Sequence, residues 1–538
     1  MALETVNGIP MAVPTATSLK DIYPEDAVPV QRQRWESLLA KFNEIYSRSA
    51  DFVSRSPGRV NIIGEHIDYS LYEVLPMAVT ADLLLAVAVH PTQASAQPRI
   101  RIANTQSSKF PARDFTFTAD GEVDIDATQH EWSNYFKSGL RGALKLLIQK
   151  LQAKGEKLVP ASMDILVDGT VPSGGGLSSS AAFVCASALA VMKSNGQEVV
   201  DKREVCELAI VSERAVGVNS GGMDQSASVF SMRGSALYVS FKPILSAKAV
   251  SFPATNPELT FVIAQSFITS DKQVTAPVCY NLRVVECSMA AEFLAKSLGL
   301  KRALPTDQSP LGVSLRGFQD TYFEEVKGIK DNSATSEPDF AAQLDTLVQL
   351  TKDTLTQEEG YTREEIAAVL GISVDALNAR FTSKVPVRAE RFLLRQRALH
   401  VFTEARRVLD FMATLASAAP TSEAESRALL ASLGGLLNAT QDSCRDLYQC
   451  SCAEIDQLCR LARDAGAYGS RLTGAGWGGC SVHLVPRDRV DAVKEAWRTG
   501  YYAKRFPGMS EDKLADAVVV SKPGSGSYLF KVTGPSVV

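Results

Sequence analysis

The sequence predicts an α+β protein folded as two lobes, and three observations lead there. The chain has 538 residues, more than one hydrophobic core usually organises. Residues 163–195, MDILVDGTVPSGGGLSSSAAFVCASALAVMKSN, read as a buried strand, a glycine and serine turn, and a helix that opens where the glycines end. A second glycine-rich loop, at 469–479, follows a long helical stretch and leads into another strand near the end of the chain. With 45% hydrophobic and 22% charged residues the composition is that of a soluble globular protein. Lys+Arg of 56 against Asp+Glu of 60 leaves a net charge of −4, so charge gives no reason to expect nucleic acid or an anionic membrane as partner.

Taken in order, residues 1–30 read as a loosely structured arm and 31–46 as an amphipathic helix. The arm begins MALETVNGIPMAVP, with an acidic residue and prolines where a secretory leader has a basic end and an apolar run. Nine cysteines are scattered, and no apolar run approaches the ~20 residues needed to span a bilayer. A cytoplasmic protein with reduced thiols is expected. The stretch 52–69, FVSRSPGRVNIIGEHIDY, reads as a short strand entering a polar turn, with Arg59, Asn61, Glu65, His66 and Asp68 interleaved with Val60, Ile62, Ile63 and Ile67. Such a set offers several acceptors and donors to a polyhydroxylated ligand.

Strand-like runs occupy 74–90 and 98–117, and 131–152 has helical periodicity with Trp132 and Tyr135 on one face. Residues 201–216 read as a helix leading into GVNSGGMDQSA at 217–227, where Asp224 emerges from a glycine-rich turn. Strands are expected at 236–241 and 259–265, and a helix from Tyr280 towards Leu300. Residues 301–385 are less regularly patterned, although Thr362-Arg363-Glu364-Glu365 is a capping box. A long helix follows over 388–415, its Arg391, Arg395, Arg406 and Arg407 expected on a solvated face, and 424–465 is helical. Cys444, Cys450, Cys452 and Cys459 lack paired CxxC spacing and a nearby His, which favours thiols over a zinc site. The division expected is an arm at 1–30, an N-terminal lobe at 31–245 and a C-terminal lobe at 246–538 with helical elaboration at 301–420.

The chemistry begins at Gly174-Gly175-Gly176-Leu177-Ser178-Ser179-Ser180. A helix N-terminus carries unpaired N–H groups and about half a positive charge, and glycines let that backbone approach an anion. The serine triplet also supplies N-cap chemistry. No Lys-Ser or Lys-Thr follows the glycines, GxGxxG spacing is absent, and so is a GxSxG elbow, so the common phosphate loops and the hydrolase turn are excluded. Four glycines within six positions at 474–479 imply close backbone approach, either to a ligand or to the other lobe.

In this order along the chain, SPGRVNIIGEHIDY at 56–69, PSGGGLSSSAA at 172–182, GVNSGGMDQ at 217–225 and RLTGAGWGGC at 471–480 resemble the motifs of the fungal-type galactokinases, within the GHMP family of small-molecule kinases. The resemblance spans most of the chain from Phe52 onward. It implies a ribosomal-S5-domain-2-like α/β N-terminal lobe, a ferredoxin-like α+β C-terminal lobe, and an active site in the cleft between them. It further implies that 174–180 hold the phosphates of ATP, and that Asp224 is the catalytic carboxylate facing the C1 hydroxyl of galactose, with Arg59 beside it. Glu65, His66, Asp68, Gly221 and Tyr280 would bind the sugar, and Trp132 would line the adenine pocket. Glu213 would hold Mg²⁺ together with Ser179 or Ser180.

By the same resemblance the reaction is ATP-dependent phosphorylation of galactose at C1. An N-acetylgalactosamine kinase shares the motifs, but Tyr280 and the form of GVNSGGMDQ favour plain galactose. A non-catalytic galactose sensor that engages a transcriptional repressor in the presence of ligand is a further relative. Its loop is shortened by a Ser-Ala pair, whereas Ser178–Ala182 is uninterrupted here, so an active enzyme is expected, with a repressor partner as an added role and a monomer as the oligomeric state.

Overall fold

The computed structural model describes residues 5–90, 97–126, 131–172, 174–216, 221–268, 275–417 and 419–534. Ser173 and residues 217–220 of the glycine motifs lie outside them. The fold is α+β, in two lobes.

The first lobe is built on a seven-stranded sheet in the order Thr15–Ala16, Tyr528–Lys531, Phe52–Ile63, Leu75–His90, Ser162–Gly169, Arg99–Asn104, Arg113–Thr116. Its central strands explain the near-continuous apolar run of 83–89, because both faces are covered. Leu84, Ala86 and Ala88 join Trp35, Leu38 and Phe42 of helix Val28–Tyr46 on one side, and Leu85 and Val87 face the main core with helix Ser179–Ser194 on the other. Period-two alternation thus survives inside a run with no polar partner residues.

Two expectations about this lobe are overturned. Phe52–Ile63 is a 12-residue strand, buried throughout, that passes through Ser56-Pro57-Gly58 by a register shift between Pro57 and Arg59. A turn composition read locally gives way here to pairing with Leu75–His90, and residues 52–55 pair with Tyr528–Lys531 as well. Nor are residues 5–30 loose. Ile9, Met11, Val13, Leu19, Ile22 and Tyr23 are buried, Ser18 and Asp21 form a capping box on Leu19–Ile22, and Thr15–Ala16 joins the sheet. Tyr23 donates to buried Asp82 at 2.6 Å, and Arg55 binds the same carboxylate at 2.7 Å while reaching the carbonyls of Ser525 and Gly526. That cluster ties both chain ends to the sheet. Strand Tyr528–Lys531 pairs with Phe52–Ile63, so this late segment belongs spatially to the first lobe.

The second lobe holds a four-stranded antiparallel sheet, Gly469–Thr473, Cys480–Pro486, Leu259–Gln265, Val518–Ser521, backed by helices Glu423–Asp446 and Ala453–Asp464. The expected helix over 424–465 is therefore two helices, separated at 447–452. Residues 301–385 are more regular than their pattern suggested: Leu315–Lys327, Glu337–Thr354 and Arg363–Leu370 are helices capped by the side chains of Ser314, Ser336 and Thr362. The following helix is Leu394–Ala416. The arginines on it and just before it are cross-links, not an idle solvated face. Arg395 donates to the carbonyls of Lys352 and Leu355 at 2.7 and 2.8 Å, satisfying the open end of the preceding long helix, and Arg391 reaches Gly360 O at 2.6 Å. All nine cysteines are free thiols. Among the described residues, no helix is long and apolar enough to cross a membrane.

Candidate active site

Arg59 lies near the end of the buried Phe52–Ile63 strand, and its guanidinium joins two elements from far along the chain. Nε donates to Asp224 Oδ1 at 2.7 Å, and Nη1 donates to the carbonyl of Gly176 at 2.7 Å. The Arg59 N–H also donates to Leu177 O at 3.0 Å, and a Cβ on Gly58 would stand 2.6 Å from that oxygen. The glycine of SPGR is thus required by the approach of the 174–180 loop to the strand.

Asp224 sits in the first turn of helix Met223–Phe230, and its second oxygen accepts from Ser178 Oγ at 2.5 Å. Here the structure corrects the capping expectation. Ser178 occupies the N-cap position of Ser179–Ser194 in a left-handed conformation, φ 62°, and makes no side-chain cap bond. Its hydroxyl points at the carboxylate instead. A non-glycine residue held in that region signals a conformation enforced by its surroundings.

The turn at 64–69, which the resemblance makes the sugar-signature turn, lies on the other side of Asp224. Asp68 accepts from the N–H of Met223 at 3.5 Å, and a Cβ on Gly221 would collide with the backbone and carboxyl of Asp68. Gly221 therefore serves the approach of two protein segments. Burial, reinforced by the charge of Asp224, pushes the Asp68 carboxyl up to about 6. His66, at φ 62°, is buried, with Nδ1 3.0 Å from Tyr69 Oη and Nε2 3.1 Å from Ala475 O. Tyr280 opens helix Tyr280–Ser297 and packs its ring on His66 and Tyr69, with centroids 5.6 and 5.5 Å apart. Burial raises its phenol well above the usual range, and the charges of Asp68, Asp224, Glu213 and Glu65 add to this. Glu65 is wholly buried, its Oε2 accepting from Arg471 and from the N–H of Gly474.

The nucleotide-side candidates form a second group. Trp132 stacks on Phe183 at 6.1 Å and 11°, and its Nε1 donates to Pro111 O at 3.0 Å. Phe183 belongs to the first turns of the helix that the glycine loop opens, so the indole and the loop share one support. Glu213, buried at the end of helix Lys202–Glu213, accepts from Gln225, the residue after Asp224. Its charge also contributes, after burial, to raising the Tyr135 phenol to about 12.

The second glycine loop packs against the first. A Cβ on Gly474 would overlap the carbonyl of Gly176, one on Gly479 would stand 3.2 Å from the backbone of Gly175, and one on Gly176 would stand 2.9 Å from Thr473 O. Of the two approaches left open by the sequence, approach to the other lobe is the one seen. Arg471 completes the join by donating to the carbonyls of Asn61 and Ile62 at 2.8 and 2.9 Å. Arg471 stands in the RLTGAGWGGC motif, where nothing in the local spacing announces this role. The pairing of Ser178 with Asp224 was missed because hydroxyls next to a helix start carry an ordinary capping explanation.

Three family models match the chain: the galactokinase galactose-binding signature at residues 40–89, the GHMP kinases N terminal domain at 134–232 and the GHMP kinases C terminal domain at 426–503. Fold and site together define a GHMP kinase. Among curated proteins, the galactokinases of Saccharomyces cerevisiae and Schizosaccharomyces pombe are each 39% identical, over 93% of this chain and 95% and 96% of their own lengths; that of Dictyostelium discoideum is 38% identical, over 90% and 91%. The chain belongs to the galactokinase family. In fold it also matches the crystal structure of Lactococcus lactis galactokinase complexed with galactose, with a TM-score of 0.61 at 23% identity, covering 92% of this chain and 99% of that one.

Proposed function

We propose that this chain is a galactokinase, a sugar kinase that transfers the γ-phosphoryl group of ATP to the C1 hydroxyl of galactose, releasing ADP. The observation that carries the reading is the position of Asp224. One of its oxygens is bound by Arg59 and the other by Ser178, at the junction of the phosphate loop and the sugar-signature turn.

In the reaction the bond from the sugar O1 to the γ-phosphorus forms as the bond from that phosphorus to the β,γ-bridging oxygen breaks. The O1 proton passes to Asp224. Phosphoryl transfer depends mostly on placement and on neutralising charge. Arg59 supplies a fixed cation between the base and Gly176, and the N-terminus of helix Ser179–Ser194 supplies unpaired N–H groups to the phosphates. His66, Asp68 and Tyr280 line the sugar side, with Glu65 behind them through its bonds to Arg471 and Gly474. Trp132, on Phe183, forms a wall for the adenine. Glu213, a buried hard-oxygen donor tied through Gln225 to the base, suits Mg²⁺ with Ser179 or Ser180. The ion would add positive charge against the triphosphate.

The test is ADP release from ATP with galactose, N-acetylgalactosamine, glucose and mevalonate in turn, for the parent protein and for Asp224→Asn. Galactose is expected to be the preferred acceptor. The variant is expected to bind galactose and to lose about 10²- to 10⁴-fold in kcat. Preference for the N-acetyl sugar would replace the substrate, and near-parental turnover in Asp224→Asn would remove the base.

A further inference from the structure

Helix Leu394–Ala416 lies in the helical part of the second lobe, remote in sequence from every motif of the site, yet it forms the back wall of the sugar-signature turn. That turn has an unusual backbone. Gly64 has φ 97° and His66, which carries a side chain, φ 62°. Glycine reaches this region freely, but a residue with a side chain does so at a cost and stays there only when neighbours enforce it.

The enforcing contact is a carboxylate. Glu404 is fully buried, and its Oε1 accepts the consecutive N–H groups of Gly64 and Glu65 at 2.8 and 3.1 Å. Its Oε2 accepts from Thr440 Oγ1 at 2.9 Å and from Arg407 Nε at 2.8 Å. Consecutive N–H groups in such a turn make a concave anion site, and here the protein fills it with its own side chain. One helical turn earlier on the same face, His400 places Nε2 3.0 Å from Glu65 O, while its Nδ1 lies 2.8 Å from Ser443 Oγ. Both the N–H and the C=O of Glu65 are therefore held from this helix. The groups facing Glu404 favour its ionised form: against the cost of burial, Arg407, His400 and Arg471 hold the carboxyl down at about 2.

We infer that Glu404 is a positioning residue for the sugar, fixing the main chain at Gly64 and Glu65 so that His66 and Asp68 meet the hydroxyls of galactose, and that it sets affinity for the sugar without touching the nucleotide. The inference rests on the galactokinase reading above. It gives the 301–420 segment a share in the sugar site through a contact that no motif contains.

The experiment measures KM for galactose and for ATP, together with kcat and chemical unfolding, in the parent, Glu404→Gln, Thr440→Val and the double variant Glu404→Gln/Arg407→Gln. Gln at 404 turns an amide NH₂ towards the donors Arg407 and Thr440 and disturbs the clamp. The expected result is a galactose KM raised ten-fold or more, with the ATP KM within two-fold of the parent. In the double variant the glutamine carbonyl at 407 accepts the new NH₂, and the galactose KM moves back towards the parent value. Thr440→Val, which removes one of the four bonds, is expected to raise the galactose KM two- to five-fold, and it carries the test if Glu404→Gln does not fold. An unchanged galactose KM, or equal rises in both KM values, overturns the inference. Failure of the parent protein to phosphorylate galactose would instead overturn the function on which it rests.

Discussion

The two glycine loops are alike in being rich in glycine and do different work. The first, 174–180, ends in a helix whose opening N–H groups are free for an anion, and its Ser178 is bonded to Asp224. The second, 474–479, opens no helix. Its glycines admit backbone: Gly474 against Gly176, Gly476 against Cys450, and Gly478 against Ile268 O, 2.5 Å from where a Cβ would stand. Glycine richness thus reports close approach without saying to what. The first loop runs into a helix N-terminus, where an anion could be held; the second is filled by protein, and the result is a clamp between the 174–180 loop and the second lobe.

Three substitutions sharpen that contrast, and the largest effect is expected in the second loop. Gly476 has φ 80° and its Cβ would overlap the carbonyl of Cys450, so Gly476→Ala should lower stability by ~3 kcal/mol or more, from backbone strain and the clash together. Urea unfolding measures it, and a loss below about 1 kcal/mol would mean that the loop is not a packed clamp.

The next effect, about 3 kcal/mol, concerns charge on the sugar side of the clamp. Asp68 is 4% exposed and its carboxyl stands at about 6 in the fold, above its ordinary value. A raised folded value means that the protonated group favours the native state. Its contribution is complete below about pH 4 and is lost as pH rises through 6. The stability of the parent minus that of Asp68→Asn should fall across this window, read from unfolding curves at pH 4, 5, 6 and 7. A flat difference would show that Asp68 is not desolvated against Asp224.

The smallest effect should come from the first loop. Ser178→Ala removes one hydrogen bond to a carboxylate and should cost roughly ten-fold in kcat, with the unfolding midpoint unchanged. A drop in stability with normal turnover would reverse the assignment of the two loops.

Much of this was legible in the chain. The strand, turn and helix at 163–195 appear as Ser162–Gly169 and Ser179–Ser194, because apolar runs of those lengths bounded by glycines have few other solutions. Strand 259–265 matches to the residue. Arg59 and Asp224 could be paired only through a resemblance, since 165 positions separate them, and the structure brings them to 2.7 Å. Residues 5–30 were misread because two-residue strands and a four-residue helix give no periodicity to detect; their order comes from Tyr23, Asp82 and the C-terminal strand. Glu404 left no signal either, since a Glu beside Arg407 on a helix reads as a surface pair.

The sequence by itself determined the secondary structure of the long elements, the two-lobed class and the residue types of the site, because these depend on local patterning and on glycines whose cost must be justified somewhere. Only the tertiary structure decided that the 474–479 loop packs on the 174–180 loop, that Ser178 serves Asp224 and not its helix, and that Glu404 holds the turn at Gly64 and Glu65. Each of those is a contact between segments far apart in the chain, and hydrogen bonding between such segments is fixed by packing, which no local pattern encodes.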